Sequence, residues 1–390
     1  MDFQPTEEHK MIRRMVRDFA EKEIAPRASE IDETDQFPDD IFRRMGELGI
    51  IGLPFPEEYG GSGMGYTSLV IALEEIARVS GAMAITLDAQ TSLYCEPVYL
   101  FGSEAQKQKY LIPAARGEKI GAFGLTEPQA GSDAGATRTR AVRDGDEWVI
   151  NGQKIFITNG SIADFVIVTA KTDPEARTRG ISAFIVEKGT PGFQPGRDEN
   201  KMGLRGSVTS ELFFENCRVP AESLVGAENQ GFKQFLTTLD AGRVAIAAMA
   251  VGLAQGAFER AVAYAQEREQ FGRPIAKFQA IQWMIADMAT EIDAARLLVN
   301  RAAWLREQGE RFSQEAAMAK LFATEMSERV CHKAIQIHGG YGYVREYEVE
   351  RMYRDQRLCQ IGEGTNQIQR LVIARRVLGR QKCVQKETKK

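Results

Sequence analysis

Apolar positions change their spacing twice along the chain. Over 6–24 they fall on a helical period among charged residues, with Thr6 ahead of Glu8 and Lys10 as the opening and Pro26 as the stop. Helices are also predicted over 39–48 and 66–79, separated by the breakers Pro54-Phe55-Pro56 and Gly60-Gly61-Ser62-Gly63. Past residue 121 the runs become short. The stretch 148–150, then Asn151-Gly152, then 154–157 reads as a hairpin, because Asn-Gly suits the positive φ of a two-residue turn. Strands are predicted over 165–169, 181–186 and 211–214 with no helix between them, which favours an antiparallel sandwich or barrel over a doubly wound sheet. Beyond 230 the helical period returns. Ile281, Ile285, Met288, Ile292, Ala295, Val299 and Ala302 form one stripe at steps of 4 and 3, as in a helix bundle. Small residues over 245–257 permit close helix approach. The expected organisation is α+β: a helical domain over 1–121, an antiparallel β domain over 122–230, a helical bundle over 231–380 and a polar, frayed tail over 381–390.

Composition narrows the class. The 390 residues carry 50 Lys+Arg and 54 Asp+Glu, a net charge of −4, which offers nucleic acid no bulk attraction. The 43% hydrophobic and 27% charged content is that of an ordinary globular protein. No run of about 18 apolar residues predicts a bilayer span, and Met1-Asp2-Phe3-Gln4-Pro5 shows no targeting pattern. Five cysteines, at 95, 217, 331, 359 and 383, form no C-x-x-C pair and read as reduced thiols of a cytoplasm-like compartment. Histidines at 9, 332 and 338 build no standard metal cluster, so no metal site is expected. There is no G-x-S-x-G elbow and no P-loop, and the glycines at 60–65 follow Pro56-Glu57-Glu58-Tyr59 rather than a strand, which argues against a Rossmann cradle.

Five constellations are candidates for chemistry. The loop Phe123-Gly124-Leu125-Thr126-Glu127-Pro128-Gln129-Ala130-Gly131-Ser132-Asp133 is rich in hydroxyls and free backbone N–H groups, as suits an anionic or heteroaromatic ligand; it also fits a linker turn. Lys154-Ile155-Phe156-Ile157-Thr158-Asn159-Gly160 places an aromatic and a hydroxyl at a strand end, against a flat ring or in an ordinary hairpin. In Gln360-Ile361-Gly362-Glu363-Gly364-Thr365-Asn366-Gln367, a carboxylate between two glycines can act as a general base, or can simply open a helix. Arg268-Glu269-Gln270-Phe271-Gly272-Arg273-Pro274 holds a guanidinium suited to a pyrophosphate, or a solvated helix end. In Gln336-Ile337-His338-Gly339-Gly340-Tyr341-Gly342, His338 reads as structural and the glycines as a tight backbone approach.

Taken together and in this order, these motifs resemble the acyl-CoA dehydrogenase family over nearly the whole chain, with Pro56-Glu57-Glu58-Tyr59-Gly60-Gly61 and Gly339-Gly340-Tyr341-Gly342 among the matching stretches. The resemblance implies an N-terminal helical domain, a middle β domain and a C-terminal four-helix bundle. It also implies noncovalent FAD, a homotetramer built as a dimer of dimers, an acyl-CoA substrate and an electron-transfer flavoprotein as acceptor. Glu363 would be the catalytic base. Phe123, Leu125, Thr126, Ser132, Phe156, Ile157 and Thr158 would contact the flavin, with Phe156 standing where many relatives carry tryptophan. Arg268, Gln270, Phe271, Gln279, Gln336, Gly339 and Gly340 would reach FAD across a subunit contact, and Thr365 and Gln367 would touch it near the base. Ser132, Asp240, Arg243, Gly362 and Gly364 would line the substrate.

Departures from the family pattern bear on substrate. Gly242 occupies the position at which one branch carries its base, which leaves Glu363 as the candidate. Gly362 stands where relatives commonly have tyrosine, so a short, branched, cyclic or aryl-bearing acyl group is expected. Ala84 replaces the arginine of glutaryl-CoA relatives. Asp88 is expected on a helix near the acyl end and reads as a helix-surface carboxylate. The competing readings are an acyl-CoA oxidase, disfavoured because the long C-terminal extension of many oxidases is lacking, and a noncatalytic acyl-CoA-binding flavoprotein, disfavoured by an intact Glu363.

Overall fold

The computed structural model describes residues 5–379; the tail expected over 381–390, and Cys383 with it, lie outside the described residues. Thr6 caps the first helix, its hydroxyl accepting from His9 N–H at 3.1 Å. The N-terminal helices are α1 (Glu7–Phe19), α2 (Ala28–Thr34), α3 (Asp39–Glu47), α4 (Gly65–Ala77) and α5 (Gly81–Asp88). The last of these runs on through a wide-turn segment into α6 (Glu96–Phe101), with short α7 (Glu104–Gln106) and α8 (Ile112–Ala115) following. Buried Glu74 and Glu75 on α4 pair with Arg13 and Arg17 of α1, alongside the apolar contact of Ile12, Val16 and Phe19 with the same core.

The middle of the chain forms one seven-stranded sheet: β1 (Gly121–Gly124), β2 (Arg140–Asp144), β3 (Glu147–Thr158), β4 (Phe165–Lys171), β5 (Ile181–Glu187), β6 (Phe193–Asp198) and β7 (Thr209–Pro220). The antiparallel expectation holds for β2–β3, β3–β7, β4–β5 and β6–β7, while β1 runs parallel to β4. The hairpin expected at Asn151-Gly152 is not there. β3 is continuous through both residues and the turn falls earlier, where Asp144 faces Glu147. Asn151-Gly152 instead marks a register shift against β7, and glycine is required because a Cβ at 152 would lie 2.4 Å from Thr139 Oγ1.

The C-terminal bundle is built on α9 (Gly231–Glu267), followed by the hairpin β8 (Glu269–Gln270) and β9 (Arg273–Pro274), then α10 (Gln279–Glu307), α11 (Ser313–His338), α12 (Val349–Cys359) and α13 (Asn366–Val377). The stripe on α10 packs as its spacing predicts, with Met288, Ile292, Ala295, Val299 and Ala302 buried. The small residues of α9 let α4 pass against it: a Cβ at Gly252 would meet Glu74 O at 2.2 Å, and one at Gly256 would meet Arg78 O at 2.1 Å. An apolar stretch of α9 is long enough to cross a bilayer, but it is mostly buried inside this bundle. The four described cysteines are free and buried.

Candidate active site

The turn between α12 and α13 carries Glu363 in a left-handed conformation, φ 55°, followed by Gly364 at 88°. A non-glycine residue held there costs about 1–3 kcal/mol, so its surroundings must enforce it. They do so through the carbonyls. Lys320 Nζ of α11 donates to Gly364 O at 3.1 Å and to Asn366 Oδ1 at 2.8 Å. Gln369 Nε2 donates to Gly364 O at 2.8 Å and to Glu363 O at 3.3 Å, and Arg243 Nε of α9 to Glu363 O at 3.5 Å. Thr365 caps α13 by accepting from Ile368 N–H at 3.3 Å.

This clamp turns the Glu363 carboxyl inward over α9. A Cβ at Gly242 would lie 2.1 Å from its Oε2, so glycine makes the space that the carboxyl fills. Both Glu363 oxygens are buried and accept no protein hydrogen bond. Burial, reinforced by the neighbouring Asp88 carboxyl, pushes Glu363 well above the usual carboxylate range against the pull of Arg243 and Lys320. Burial likewise lowers Lys320 to about 8. Asp88 is not the surface carboxylate its sequence position suggested. It is wholly buried, because α5 is packed on every side, and it faces Glu363. A Cβ at Gly362 would make ordinary van der Waals contact with Ile246 Cδ1 at 3.5 Å and Leu358 from 3.7 Å, so a side chain can start there without a clash, and its φ is not left-handed. Asp240 ties Arg243 in place, Nη1 to Oδ1 at 2.6 Å.

A second group of expected residues gathers where the sheet meets α9. Phe123 stacks on Phe235 of α9 at 4.1 Å, and Phe235 lies two helical turns before Gly242. Phe156 sits at a register shift in β3 with φ 58° and its ring 62% exposed, while Ile157 turns into the sheet core and Thr158 pairs with Thr209. Beneath this edge, Lys154 Nζ is fully buried and donates to Leu125 O at 3.1 Å and Glu127 Oε1 at 2.8 Å, which fixes the loop bearing Thr126. Ser132 is exposed further along that loop.

A third group lies apart from the base. Arg268, Gln270, Gly339 and Gly340 line one cavity of about 470 Å³ with Tyr341 and His338. Arg268 stands over the Tyr341 ring at 5.6 Å and forms no ion pair among the described residues, and added Cβ atoms at Gly339 and Gly340 would meet nothing. A free guanidinium facing bare backbone fits a diphosphate. His338 is structural as expected, with Nδ1 2.8 Å from Ala334 O and its ring stacked on Tyr264. Phe271 (93% exposed) tips the β8–β9 hairpin, and Gln279 and Gln336 are exposed nearby on α10 and α11. Arg268 ends the helix that carries Gly242, 268 − 242 = 26 residues on. At 1.5 Å per residue that is roughly 39 Å. Thr365 and Gln367 remain with Glu363.

Sequence reasoning missed Lys320, Gln369, Lys154 and the burial of Asp88. The signal for Asp88 and Lys320 was a lone charge inside a run of small and apolar residues, Ala82 to Ala89 and Ala316 to Ala323.

Three family models cover nearly the whole chain: acyl-CoA dehydrogenase N-terminal domain over 6–118, middle domain over 122–217 and C-terminal domain over 229–378. The chain belongs to the acyl-CoA dehydrogenase family. It is 55% identical to the probable acyl-CoA dehydrogenase YngJ of Bacillus subtilis, across 97% of this chain and 100% of that one. It is 51% identical to the short-chain-specific acyl-CoA dehydrogenase of Clostridium acetobutylicum, again across 97% and 100%. A chain solved under the description "Electron transferring flavoprotein of Acidaminococcus fermentans: Towards a mechanism of flavin-based electron bifurcation" superposes with a TM-score of 0.96 at 52% identity, covering 97% of this chain and 100% of that chain. Acyl-CoA dehydrogenases are flavoprotein oxidoreductases, and this chain is an enzyme of that class.

Proposed function

We propose that this acyl-CoA dehydrogenase converts a short, branched, cyclic or aryl-bearing acyl-CoA thioester into the trans-2-enoyl-CoA, with Glu363 as the α-proton base. One observation carries the reading: the Glu363 carboxyl is held in a left-handed turn, buried, raised in basicity and free of any protein donor. A carboxylate so placed is free for a substrate C–H and basic enough to take its proton. The missing side chain at Gly362, where an added Cβ would fit without a clash, supports an acyl group bulkier than a straight chain. Bound noncovalently, FAD would supply a hydride acceptor for the β hydrogen, with an electron-transfer flavoprotein as the eventual acceptor. Phe123, Leu125, Thr126, Ser132, Phe156, Ile157 and Thr158 would hold the ring, Thr365 and Gln367 the part nearest the base, and Ser132, Asp240, Arg243, Gly362 and Gly364 the thioester arm.

The chain's own work in the reaction is orientation and proton transfer. The carbonyl clamp fixes the Glu363 carboxyl for the α proton, and the exposed Phe156 would be free to pack against the cofactor ring. Arg268, Gln270, Phe271, Gln279, Gln336, Gly339 and Gly340 stand too far from Glu363 within one chain for a single FAD to reach both groups. A second copy would have to supply them, in keeping with a homotetramer built as a dimer of dimers. The three domains would divide at 121 and 230, and buried free thiols support a cytoplasmic setting.

Glu363→Gln tests the reading, since the amide keeps the shape and cannot accept the proton. The variant should remain yellow and bind acyl-CoA, yet scarcely bleach anaerobically with butyryl-, isobutyryl- or cyclohexanecarboxyl-CoA. Bleaching within about threefold of wild type would remove Glu363 as the base; general-base catalysis is worth about 10²–10⁴-fold.

A further inference from the structure

Asp88 has no place in the proposed chemistry so far. It ends α5 fully buried, and neither of its oxygens has a hydrogen-bond partner among the described residues. The group it faces, Glu363, is in the same condition. Two adjacent carboxyls in an apolar site cannot both ionise cheaply, and each left without a donor is costly. A single proton between them meets both demands, because the protonated carboxyl becomes the donor that the other lacks.

The Ser92 hydroxyl can donate to Asp88, but no cation is placed on that side to neutralise the pair. Ser92 lies beside Asp88 in the segment after α5, Tyr66 approaches from α4 and Cys359 from α12, and none of these carries a positive charge. Arg243 and Lys320 stand on the Glu363 side, where their hydrogen bonds go to Asp240, the turn carbonyls and Asn366. Tyr66 spends its hydroxyl on Ala241 O at 2.6 Å, and Arg306, over the Tyr66 ring, pairs with Glu96.

We propose that Asp88 and Glu363 form a carboxyl pair sharing one proton at neutral pH, with Asp88 as the positioning residue that sets when Glu363 is free to act. The inference rests on Glu363 being the base. In the resting pair the proton passes from Glu363 Oε to Asp88 Oδ: one O–H bond breaks, another forms, and the charge of the pair stays at −1. The freed Glu363 oxygen then takes the Cα proton, and the C–H electron pair moves into the new C=C bond as the β hydrogen leaves with its electrons to the flavin oxidant. The pair ends neutral with two protons and resets by releasing one to solvent. Moving the proton onto Asp88 costs free energy, so wild type should bleach slowly while the pair holds its proton and reach full rate once that proton is lost, with Glu363 then a stronger base beside the Asp88 charge.

The test uses flavinated wild type and Asp88→Asn, an isosteric change that removes the second proton site. Single-turnover anaerobic bleaching by butyryl-CoA is followed against pH. The acid limb should move down by at least about one pH unit, so that the variant bleaches up to about tenfold faster than wild type below the limb. It should bleach more slowly on the high-pH plateau, where its base is weaker. An infrared titration gives a readout independent of turnover: a protonated-carboxyl band present at pH 7 in wild type should be lost in Asp88→Asn. If Asp88→Asn does not fold, Asp88→Ser replaces it with the same expectations. An unmoved acid limb, or no such band in wild type, overturns the pair. So does a rate loss confined to acyl groups bearing a hydroxyl, which would make Asp88 a substrate contact instead. Failure of Glu363 as base would show separately, as bleaching retained in Glu363→Gln.

Discussion

Lys154→Met strikes the buried ion pair beneath the Thr126 loop, and its cost can be worked in two ways. Lys154 is 0% and Glu127 3% exposed, and Lys154 Nζ reaches Glu127 Oε1, Leu125 O and the hydroxyls of Thr137 and Thr169 within 3.2 Å. Burial alone would raise Glu127, but the charge and hydrogen bond of Lys154, with Thr137 and Arg138 N–H, bring it down to about 2 from an ordinary 4.5. On the Glu127 side that difference, at 1.36 kcal/mol per pH unit, corresponds to about 3 kcal/mol, but burial lowers Lys154 to about 8 from 10.5, an opposite contribution of similar size; the pair is close to neutral as a whole, and the cost of Lys154→Met is that of stranding Glu127. Removing one member of a buried pair costs about 3–5 kcal/mol by mutational precedent, because it strands the other charge. Lys154→Met should therefore lower stability by about 3 kcal/mol at pH 7, read as the urea midpoint at constant slope. The pH dependence has a definite sign. A carboxylate depressed in the folded state stabilises above its unfolded value of 4.5, and that contribution is lost as pH falls toward 2. The deficit of the variant should thus be largest at neutral pH and narrow in acid, and Lys154→Met/Glu127→Gln should recover at least half of it. A loss under about 1 kcal/mol, or a deficit independent of pH, would refute the reading that Lys154→Met strands a buried Glu127 charge.

Three further outcomes are expected. Gly242→Ala places a methyl 2.1 Å from Glu363 Oε2 and should cut anaerobic bleaching at least about tenfold while FAD content stays near wild type; an unchanged rate would mean the carboxyl can move without loss. Arg268→Ala should lower FAD retained through gel filtration more than acyl-CoA affinity, because its guanidinium faces the bare backbone of Gly339 and Gly340; full flavination with poor thioester binding would reverse the assignment. Gly362→Tyr should cost cyclohexanecarboxyl- and isobutyryl-CoA roughly tenfold in kcat/KM while butyryl-CoA loses little, since overpacking a fitted site costs about 1–3 kcal/mol; equal losses for all three would show that the missing side chain at 362 does not select the acyl group.

The sequence by itself determined the elements whose signal is local. Thr6 announced its cap, the stripe from Ile281 to Ala302 its buried helix face, and the motif around Glu363 its candidate base, because capping, periodicity and glycine flanks act over a few residues. Asn151-Gly152 shows where local reasoning stops: the same dipeptide that suits a hairpin turn is consumed by a register shift, since Thr139 crosses close enough to forbid a side chain. The left-handed φ of Glu363 was equally unreadable, because it is held by Lys320 and Arg243 from far along the chain as well as by Gln369. Only the tertiary structure put Gly242 under the base and buried Asp88 against it. Chain positions 88, 242 and 363 meet through the packing of three helical segments, and whether a carboxylate is a solvated surface charge or half of a buried pair depends on what those segments exclude from around it.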